Sequence, residues 1–174
     1  MLNLKFALKT LGSIDYFLIF EAFRNAQGIY LTQTKYILNL LTKNNLLNSK
    51  PRDTPIYSSV KLSLDSGRPF TDPTLYRSTS CTIGALQYLT YTRPDIDFAV
   101  NKLSQFLAAP TDIHWKACKR ILRYLKRSAG LGLLFRPAPQ LFVEAFTDAD
   151  WASYPDDRRS TSGCCVFLGP NLIT

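Results

Sequence analysis

Residues 111–130 read TDIHWKACKRILRYLKRSAG and carry the clearest pattern in the chain. At about 100° per residue, six cations fall within an arc of roughly 120° on one helical face, and four apolar residues fall opposite. Thr111 and Asp112 are typical of a helix start, and Gly130 of a stop. The stretch predicts a helix over 111–128 with a core face of Cys118, Ile121, Leu122 and Leu125 and a basic face of Lys116, Lys119, Arg120, Arg123, Lys126 and Arg127.

The basic face has two interpretations. Six like charges on one stripe repel one another, and such a stripe can follow a phosphate backbone and release its counterions. Alternatively, it is an outer face that water solvates. The 174 residues include 21 Lys and Arg against 13 Asp and Glu, a net charge of +8, which indicates an anionic partner, most simply nucleic acid. The six cations are therefore candidate nucleic-acid-binding residues.

The residues before this helix predict a mixed α and β fold. Residues 16–33, YFLIFEAFRNAQGIYLTQ, hold two β-prone runs around RNAQG and predict a hairpin. Residues 34–45 predict a helix, 49–73 contain several prolines and predict an extended surface connection, and a further helix is expected over about 72–89. Another begins at TRPD, 92–95, with a core stripe of Ile96, Ala99, Val100, Leu103, Phe106 and Leu107.

Residues 144–169, EAFTDADWASYPDDRRSTSGCCVFLG, place several acids close together. In a strand over 142–150, Glu144, Phe146, Asp148 and Asp150 share one side. Carboxylates held that close repel unless a cation or a raised pKa relieves them. The stretch is therefore either half of a metal site or an exposed edge strand whose acids are solvated.

Other functional classes find little support in the sequence. The four cysteines form no C-x-x-C pair, so neither a zinc site nor a disulfide framework is indicated, and a reducing compartment fits best. His114 is the only histidine and is expected to be a surface or capping residue. No glycine-rich phosphate loop and no membrane-length apolar run is present. We expect an intracellular, non-secreted protein without a membrane partner, in a compartment that the sequence does not identify.

Four strings, in order, resemble the Pol polyprotein of copia-type LTR retrotransposons. They are LGSIDYFLIFEAFRNAQGIYLTQTKYILNLL at 11–41, LNSKPRDTPI at 47–56, IGALQYLTYTRPDIDFAVNKLSQFLAAPTDIHWKACKRILRYLK at 83–126 and TDADWASYPDDRRSTSGCCVFLG at 147–169. The resemblance implies that 1–135 is the C-terminal part of a reverse transcriptase, with the palm hairpin at about 16–33 and the helical thumb and connection region at about 71–130. It implies that 140–174 begins an RNase H-like domain. The expected fold is α+β, a hairpin and thumb-like helices followed by the first strands of a truncated RNase H-like sheet.

The resemblance also implies roles for the candidate residues. The basic helix would lie along an RNA–DNA hybrid or another nucleic-acid duplex and hold it through phosphates, without sequence preference. Asp148 matches the first of the RNase H carboxylates that hold two divalent metals, so it is both the catalytic and the metal candidate, in a site that is incomplete here. Mg²⁺ is the cofactor of the parent family, and we expect this chain to bind none tightly.

Departures from the family pattern shape the functional expectation. No Tyr-x-Asp-Asp turn is present, Ile19 stands where the family usually has glycine, and YRSTSCTIGALQY at 76–88 is about three residues longer than the family spacing, which would rotate one end of a helix. We expect an internal fragment that catalyses neither DNA synthesis nor RNA cleavage alone and that self-associates through its last strands. Two alternatives stay open: a basic nucleic-acid-binding or interaction module retained by a host, and a decayed reading frame without function.

Overall fold

The computed structural model describes residues 15–57, 62–152 and 154–174. These residues form an α+β fold with two antiparallel sheets and a group of helices. The elements are β1 Tyr16–Phe17, β2 Phe20–Asn25, β3 Gly28–Thr32, α1 Thr34–Lys43, α2 Pro73–Leu89, a 3₁₀ turn Pro94–Ile96, α3 Asp97–Ser104, α4 Asp112–Arg127, β4 Leu133–Phe135, β5 Val143–Ala149, β6 Ser162–Leu168 and β7 Asn171–Leu172.

The core lies between the helices. The predicted apolar face of α4 is buried as expected: Leu122 and Leu125 are 0% exposed and Ile121 is 2% exposed. They pack with apolar side chains of the other three helices and with Phe106, just after α3. Each fully buried leucine contributes about 1.5–3 kcal/mol relative to an exposed one. Leu62, in the connection predicted to lie on the surface, is also buried, so this part of that prediction was wrong.

The start of α4 is fixed by its histidine. The backbone N–H of Thr111 donates to Nδ1 of His114 at 3.0 Å, in a capping box. The imidazole also stacks on Phe106, with ring centroids 4.1 Å apart. His114 is therefore the capping residue that was one of the two expectations, and it is buried. Burial lowers the pKa of His114 below its ordinary value, which favours the neutral ring that the hydrogen bond requires.

The end of α4 is fixed by a buried arginine. Arg93 is 1% exposed and donates to the carbonyl and the hydroxyl of Ser128, both at 2.7 Å, and to Asp95. Tyr124 of α4 donates to Asp95 at 2.7 Å. Burial alone would raise the pKa of Asp95, but the hydrogen bonds from Arg93 and Tyr124 outweigh it and lower the pKa below its ordinary value. The ionised pair thus ties the junction between α2 and α3 to the last turn of α4.

Helix α2 runs unbroken through residues 76–88, the stretch that is about three residues longer than in the family pattern. Its inner side carries Thr79 and Thr82, both buried. Their hydroxyls donate to the carbonyls of Leu75 and Ser78 in the preceding turn, at 2.8 and 2.7 Å. The polar groups that this helix turns inward are therefore hydrogen-bonded.

The first sheet has the order β1-β2-β3-β4. The predicted hairpin is present, with Asn25 opposite Gly28 across a two-residue turn. Strand β4 was not predicted. It pairs with β3 at a close approach, because a Cβ atom on Gly28 or on Gly132 would lie 2.0 Å from a backbone oxygen of the facing strand. Only glycine fits at these two positions.

The second sheet has the order β5-β6-β7 and carries the acidic stretch. The strand predicted over 142–150 spans 143–149, so Asp150 follows its end. Strand β5 is an edge strand of this sheet, and all seven of its residues are exposed. Asn171 joins this sheet to the chain after β4, because its side chain accepts from the N–H of Arg136 at 2.6 Å and donates to its carbonyl at 3.0 Å.

The turn between β1 and β2 is strained at the position where the family pattern has glycine. Leu18 and Ile19 have φ angles of 47° and 74°, as a two-residue turn with both central residues left-handed requires. A non-glycine residue in this left-handed conformation destabilises the folded state by about 1–2 kcal/mol, and a β-branched residue is especially unfavourable. The turn is held by the hydroxyl of Tyr88, which donates to the carbonyl of Leu18 at 2.8 Å.

We expect Ile19→Gly to raise the free energy of unfolding by at most about 1 kcal/mol, because the strain of a β-branched residue at φ 74° exceeds the packing that the half-buried side chain contributes and the chain entropy that glycine adds. Urea unfolding measures it. Ile29→Gly, in β3, is the matched control and should lower stability, since a strand glycine loses packing and adds chain entropy. A loss of stability in both variants would contradict the strain at Ile19.

Candidate nucleic-acid interface

The six predicted cations all lie on the outer side of α4, opposite the buried face. Lys116 and Arg127 are exposed, and the other four are half-buried. Residues 49–57, which we call the strap, lie across this side of the helix and contact three of the half-buried cations. The basic face is therefore real, but it is not a bare stripe in water.

Two cations near the end of α4 hold the first part of the strap. The ammonium group of Lys126 donates to the carbonyl of Ser49 at 2.7 Å. Arg127 forms an ion pair with Asp53. Both interactions join residues more than seventy positions apart in the chain, so a local charge pattern did not reveal them.

Arg123 holds the middle of the strap. Its Nε donates to the carbonyl of Lys50, and its own carbonyl accepts from the backbone N–H of Arg52 at 3.2 Å. Side chain and backbone of one α4 residue thus bind two strap residues. The guanidinium group is committed to the strap by this hydrogen bond.

Arg120 meets the end of the strap. One of its terminal nitrogens donates to the hydroxyl of Thr54 at 2.6 Å, and its guanidinium carbon lies 3.4 Å from the centre of the Tyr57 ring. Its Nε is buried and has no hydrogen-bond partner among the described residues. When arginine stacks on an aromatic ring, its N–H donors point outward in the plane of the guanidinium group and can still bind acceptors.

Among the described residues, the remaining two cations have their side-chain interactions within α4. Lys116 forms an ion pair with Asp112 at 2.8 Å, one helical turn earlier. The hydrogen bonds that Asp112 accepts from Lys116 and from the N–H of Arg68 lower the pKa of this carboxyl below its ordinary value. Lys119 lies 5.5 Å above the ring of Trp115. Within the part of the chain that the structure describes, Lys119 has no ion pair or hydrogen bond.

A cavity of about 380 Å³ opens between α4 and the strap. Among the residues that the structure describes, five cations and no carboxylate line it, so these side chains make the potential inside positive. Arg52 belongs to this group and was not among the predicted binding residues. A single basic residue in a proline-rich segment is too weak a sequence signal to predict a binding role. The lining residues are Leu46, Ser49, Arg52, Tyr57, Lys116, Lys119, Arg120 and Arg123.

Asp148 lies near the end of the exposed strand β5, opposite Gly163 of β6. Glu144 is on the same side of the strand but four residues away, about 13 Å at 3.3 Å per residue. Asp150 accepts a hydrogen bond from the N–H of Thr161. Across 15–57, 62–152 and 154–174, no group of three His, Cys, Asp or Glu side chains could hold a metal ion.

Mg²⁺ takes near-octahedral oxygen ligands at short distances. The described carboxylates around Asp148 do not meet that requirement. These residues therefore support no reaction step, and the metal-binding role of Asp148 stays a prediction.

No helix within the described residues is long and apolar enough to cross a membrane.

The chain is similar to several proteins encoded by transposons and to a mitochondrial protein. It is 45% identical over 173 residues to "Retrovirus-related Pol polyprotein from transposon RE2" of Arabidopsis thaliana, covering 99% of this chain and 12% of that protein. It is 35% identical over 184 residues to "Retrovirus-related Pol polyprotein from transposon TNT 1-94" of Nicotiana tabacum, covering 99% of this chain and 13% of that protein. It is 40% identical to "Uncharacterized mitochondrial protein AtMg00810" of Arabidopsis thaliana, covering 99% of this chain and 70% of that protein.

The chain thus spans about an eighth of the length of the Pol polyproteins it matches. No protein-family model matches it. No solved structure matches it either.

The strap interactions generate a prediction for hydrogen exchange. In the double variant Arg123→Met with Lys126→Met, the backbone N–H of Arg52 should exchange roughly tenfold faster or more, because two side-chain hydrogen bonds to the strap are removed. Amide exchange followed by NMR measures it. Lys116→Met, which removes only an ion pair within α4, is the control and should leave that amide unchanged. An unchanged Arg52 rate in the double variant would show that these side chains do not hold the strap.

Proposed function

Because the chain belongs to the family of retrovirus-related Pol polyproteins of transposons, we propose that it is the part of a copia-type polyprotein where the reverse transcriptase passes into RNase H. In this proposal the hairpin at 16–33 is the palm hairpin, the helices over 71–130 are the thumb and connection region, and 140–174 begins RNase H. The proposal is supported by the order of four sequence blocks and by the position of the second sheet, which begins only after Phe135.

The role that we propose for this part is to hold a primer–template duplex, the RNA–DNA hybrid in particular. The observation that carries it is the surface where α4 meets the strap, with five cations around one cavity and a net charge of +8 for the chain. Cations aimed at a phosphate backbone bind duplexes of any sequence, because phosphates are the same at every step. An enzyme that copies any template needs that property.

The proposal assigns no catalysis to this chain. Asp148 is proposed as the first carboxylate of the RNase H site, and Mg²⁺ as the cofactor of the complete polyprotein. The other carboxylates of that site would come from segments outside this sequence, and the contribution of this chain to activity is to hold the duplex.

A second candidate is a short, separate protein with the same nucleic-acid-binding surface. One observation favours it: the similarity to the mitochondrial protein extends over 70% of that protein's length, so a relative exists that is not a long polyprotein. Both candidates require duplex binding by the chain itself.

Duplex binding tests the proposal directly. We expect the purified chain to bind two RNA–DNA hybrids of unrelated sequence with equal affinity, with log affinity falling linearly against log salt concentration. The triple variant Lys119→Gln, Arg120→Gln and Arg123→Gln should reduce the slope by about 0.7–0.9 for each phosphate that the protein no longer neutralises. Fluorescence anisotropy at several salt concentrations measures both.

The matched control removes three cations from the other helices, Lys43, Arg77 and Lys102, each changed to Gln. This control variant reduces the net charge by the same amount, but it should keep most of the slope of log affinity against log salt concentration. Equal reductions in the two triple variants would mean that only net charge matters. Absence of binding by the wild-type chain would contradict both candidate functions.

Asp148 generates a prediction for Mg²⁺. We expect Mg²⁺ to shift amide signals around Asp148 only in the millimolar range, since a single carboxylate holds this ion weakly. Asp148→Asn should abolish those shifts. Glu144→Gln, on the same side of β5 but about 13 Å away, is the control and should leave them unchanged. Micromolar affinity would mean that a nearly complete metal site exists in the chain.

A further inference from the structure

The cavity between α4 and the strap differs from the rest of the basic surface. Its walls come from two segments that are distant in sequence, and its 380 Å³ lies near the lower end of the range of about 300–1,000 Å³ that is usual for small-ligand sites. We propose that this cavity is a discrete binding site for one phosphate group of a nucleic-acid backbone. The inference rests on the proposed function in naming nucleic acid as the source of the phosphate. The preference of the site for a phosphate group does not depend on that function.

The charges around the cavity favour an anion. Arg52, Lys119 and Arg123 line it together with Lys116 and Arg120, and within the described part of the chain no acidic side chain does. Like charges gathered around one small volume repel, and an anion inside the volume removes that repulsion. A phosphate diester carries the charge and the acceptor oxygens that arginine and lysine bind best.

Two of the cations are available for a ligand. Arg52 and Lys119 have neither a hydrogen bond nor an ion pair from their side chains among the described residues. They come from two different segments that line the cavity, the strap and α4. A group bound between them would touch both segments at once, which a flat stripe of cations does not offer.

Arg120 supplies a probe of the cavity. Its Nε is buried without a hydrogen-bond partner within the described chain, while the rest of its guanidinium group is fixed by Thr54 and the Tyr57 ring. Because this nitrogen has almost no accessible surface, it does not bind a ligand itself. Its N–H signal instead reports on charge that enters the adjoining cavity, which Arg120 lines.

The walls are already held in place before any ligand binds. Arg123 is bonded to the carbonyl of Lys50, and the backbone N–H of Arg52 is bonded to the carbonyl of Arg123. Arg120 is stacked on Tyr57. A preformed site loses less conformational freedom on binding than a flexible one does, so it can bind one phosphate more tightly than scattered surface cations.

The first test removes only the two free charges. In the variant Arg52→Gln with Lys119→Gln, the strap interactions of Arg120 and Arg123 remain. We expect the affinity for an RNA–DNA hybrid to fall about tenfold and the salt slope to fall by about 0.7–0.9, the value for one neutralised phosphate. The control is Arg77→Gln with Lys102→Gln, which removes the same charge. Lys102 lies 5.6 Å above the ring of Phe98, much as Lys119 lies above Trp115.

The second test identifies the source of the phosphate. Inorganic phosphate, added at constant ionic strength against chloride, should shift the NMR signal of the Arg120 Nε–H group saturably in the wild-type chain, and the hybrid should shift it further in the same direction. The double variant should show neither shift. Anisotropy and NMR together separate this inference from the proposed function.

If the hybrid binds the wild type but the double variant keeps the full salt slope, the discrete site is wrong and the proposed function stands. If inorganic phosphate saturates the site but the hybrid does not bind, the site takes a free phosphate, and both the backbone assignment and the proposed function fail. If neither the hybrid nor phosphate moves the Arg120 signal, the cavity is not a phosphate site.

Discussion

Repulsion among the six cations of α4 is the constraint on which the rest of this structure depends. The helix has to bury one face completely, so its charges are forced together on the other. Carbonyl oxygens and one carboxylate of the strap relieve part of that repulsion, through Lys126, Arg127 and Arg123. A proline-rich segment with no helix or strand of its own in its described part therefore has a defined path, because the helix beneath it needs acceptors.

The same interactions divide the cations by role. Lys126 and Arg127 hold the strap, Lys116 and Lys119 face the cavity, and Arg120 and Arg123 do both. A ligand that competed for Arg123 would therefore loosen the strap, while one held by Arg52 and Lys119 would leave the strap contacts of Arg123 in place. His114 fixes the start of α4 and Arg93 fixes its end. These two contacts hold the helix, and with it the basic face, in a fixed position on the core.

The parts of the fold that could be predicted from the sequence are those governed by local periodicity. The hairpin around Asn25, the helices and both faces of α4 follow from spacing and from capping residues. Strand β4, the buried Arg93 and the strap interactions were not predictable in this way, because each depends on a partner far along the chain. Ile19 is an intermediate case, since its departure from the family pattern marked the position, but only the φ angle of 74° shows the strain there. For the candidate site, the six cations could be named from the sequence, but the cavity and Arg52 could not.

Repulsion between the acidic residues of β5 is reduced in a different way from repulsion between the cations of α4. Glu144 and Asp148 share a side of the strand, yet the strand geometry separates them by about 13 Å, and the whole strand is exposed. At that distance, in water, two carboxylates interact weakly and need no bound partner. The cations of α4 are packed along one face of a single helix and are partly covered, so their repulsion is stronger, and oxygen atoms of the strap relieve part of it. Charge density and burial, more than the number of charges, therefore make the α4 surface a candidate binding site in this chain and leave the β5 acids dependent on residues from other elements.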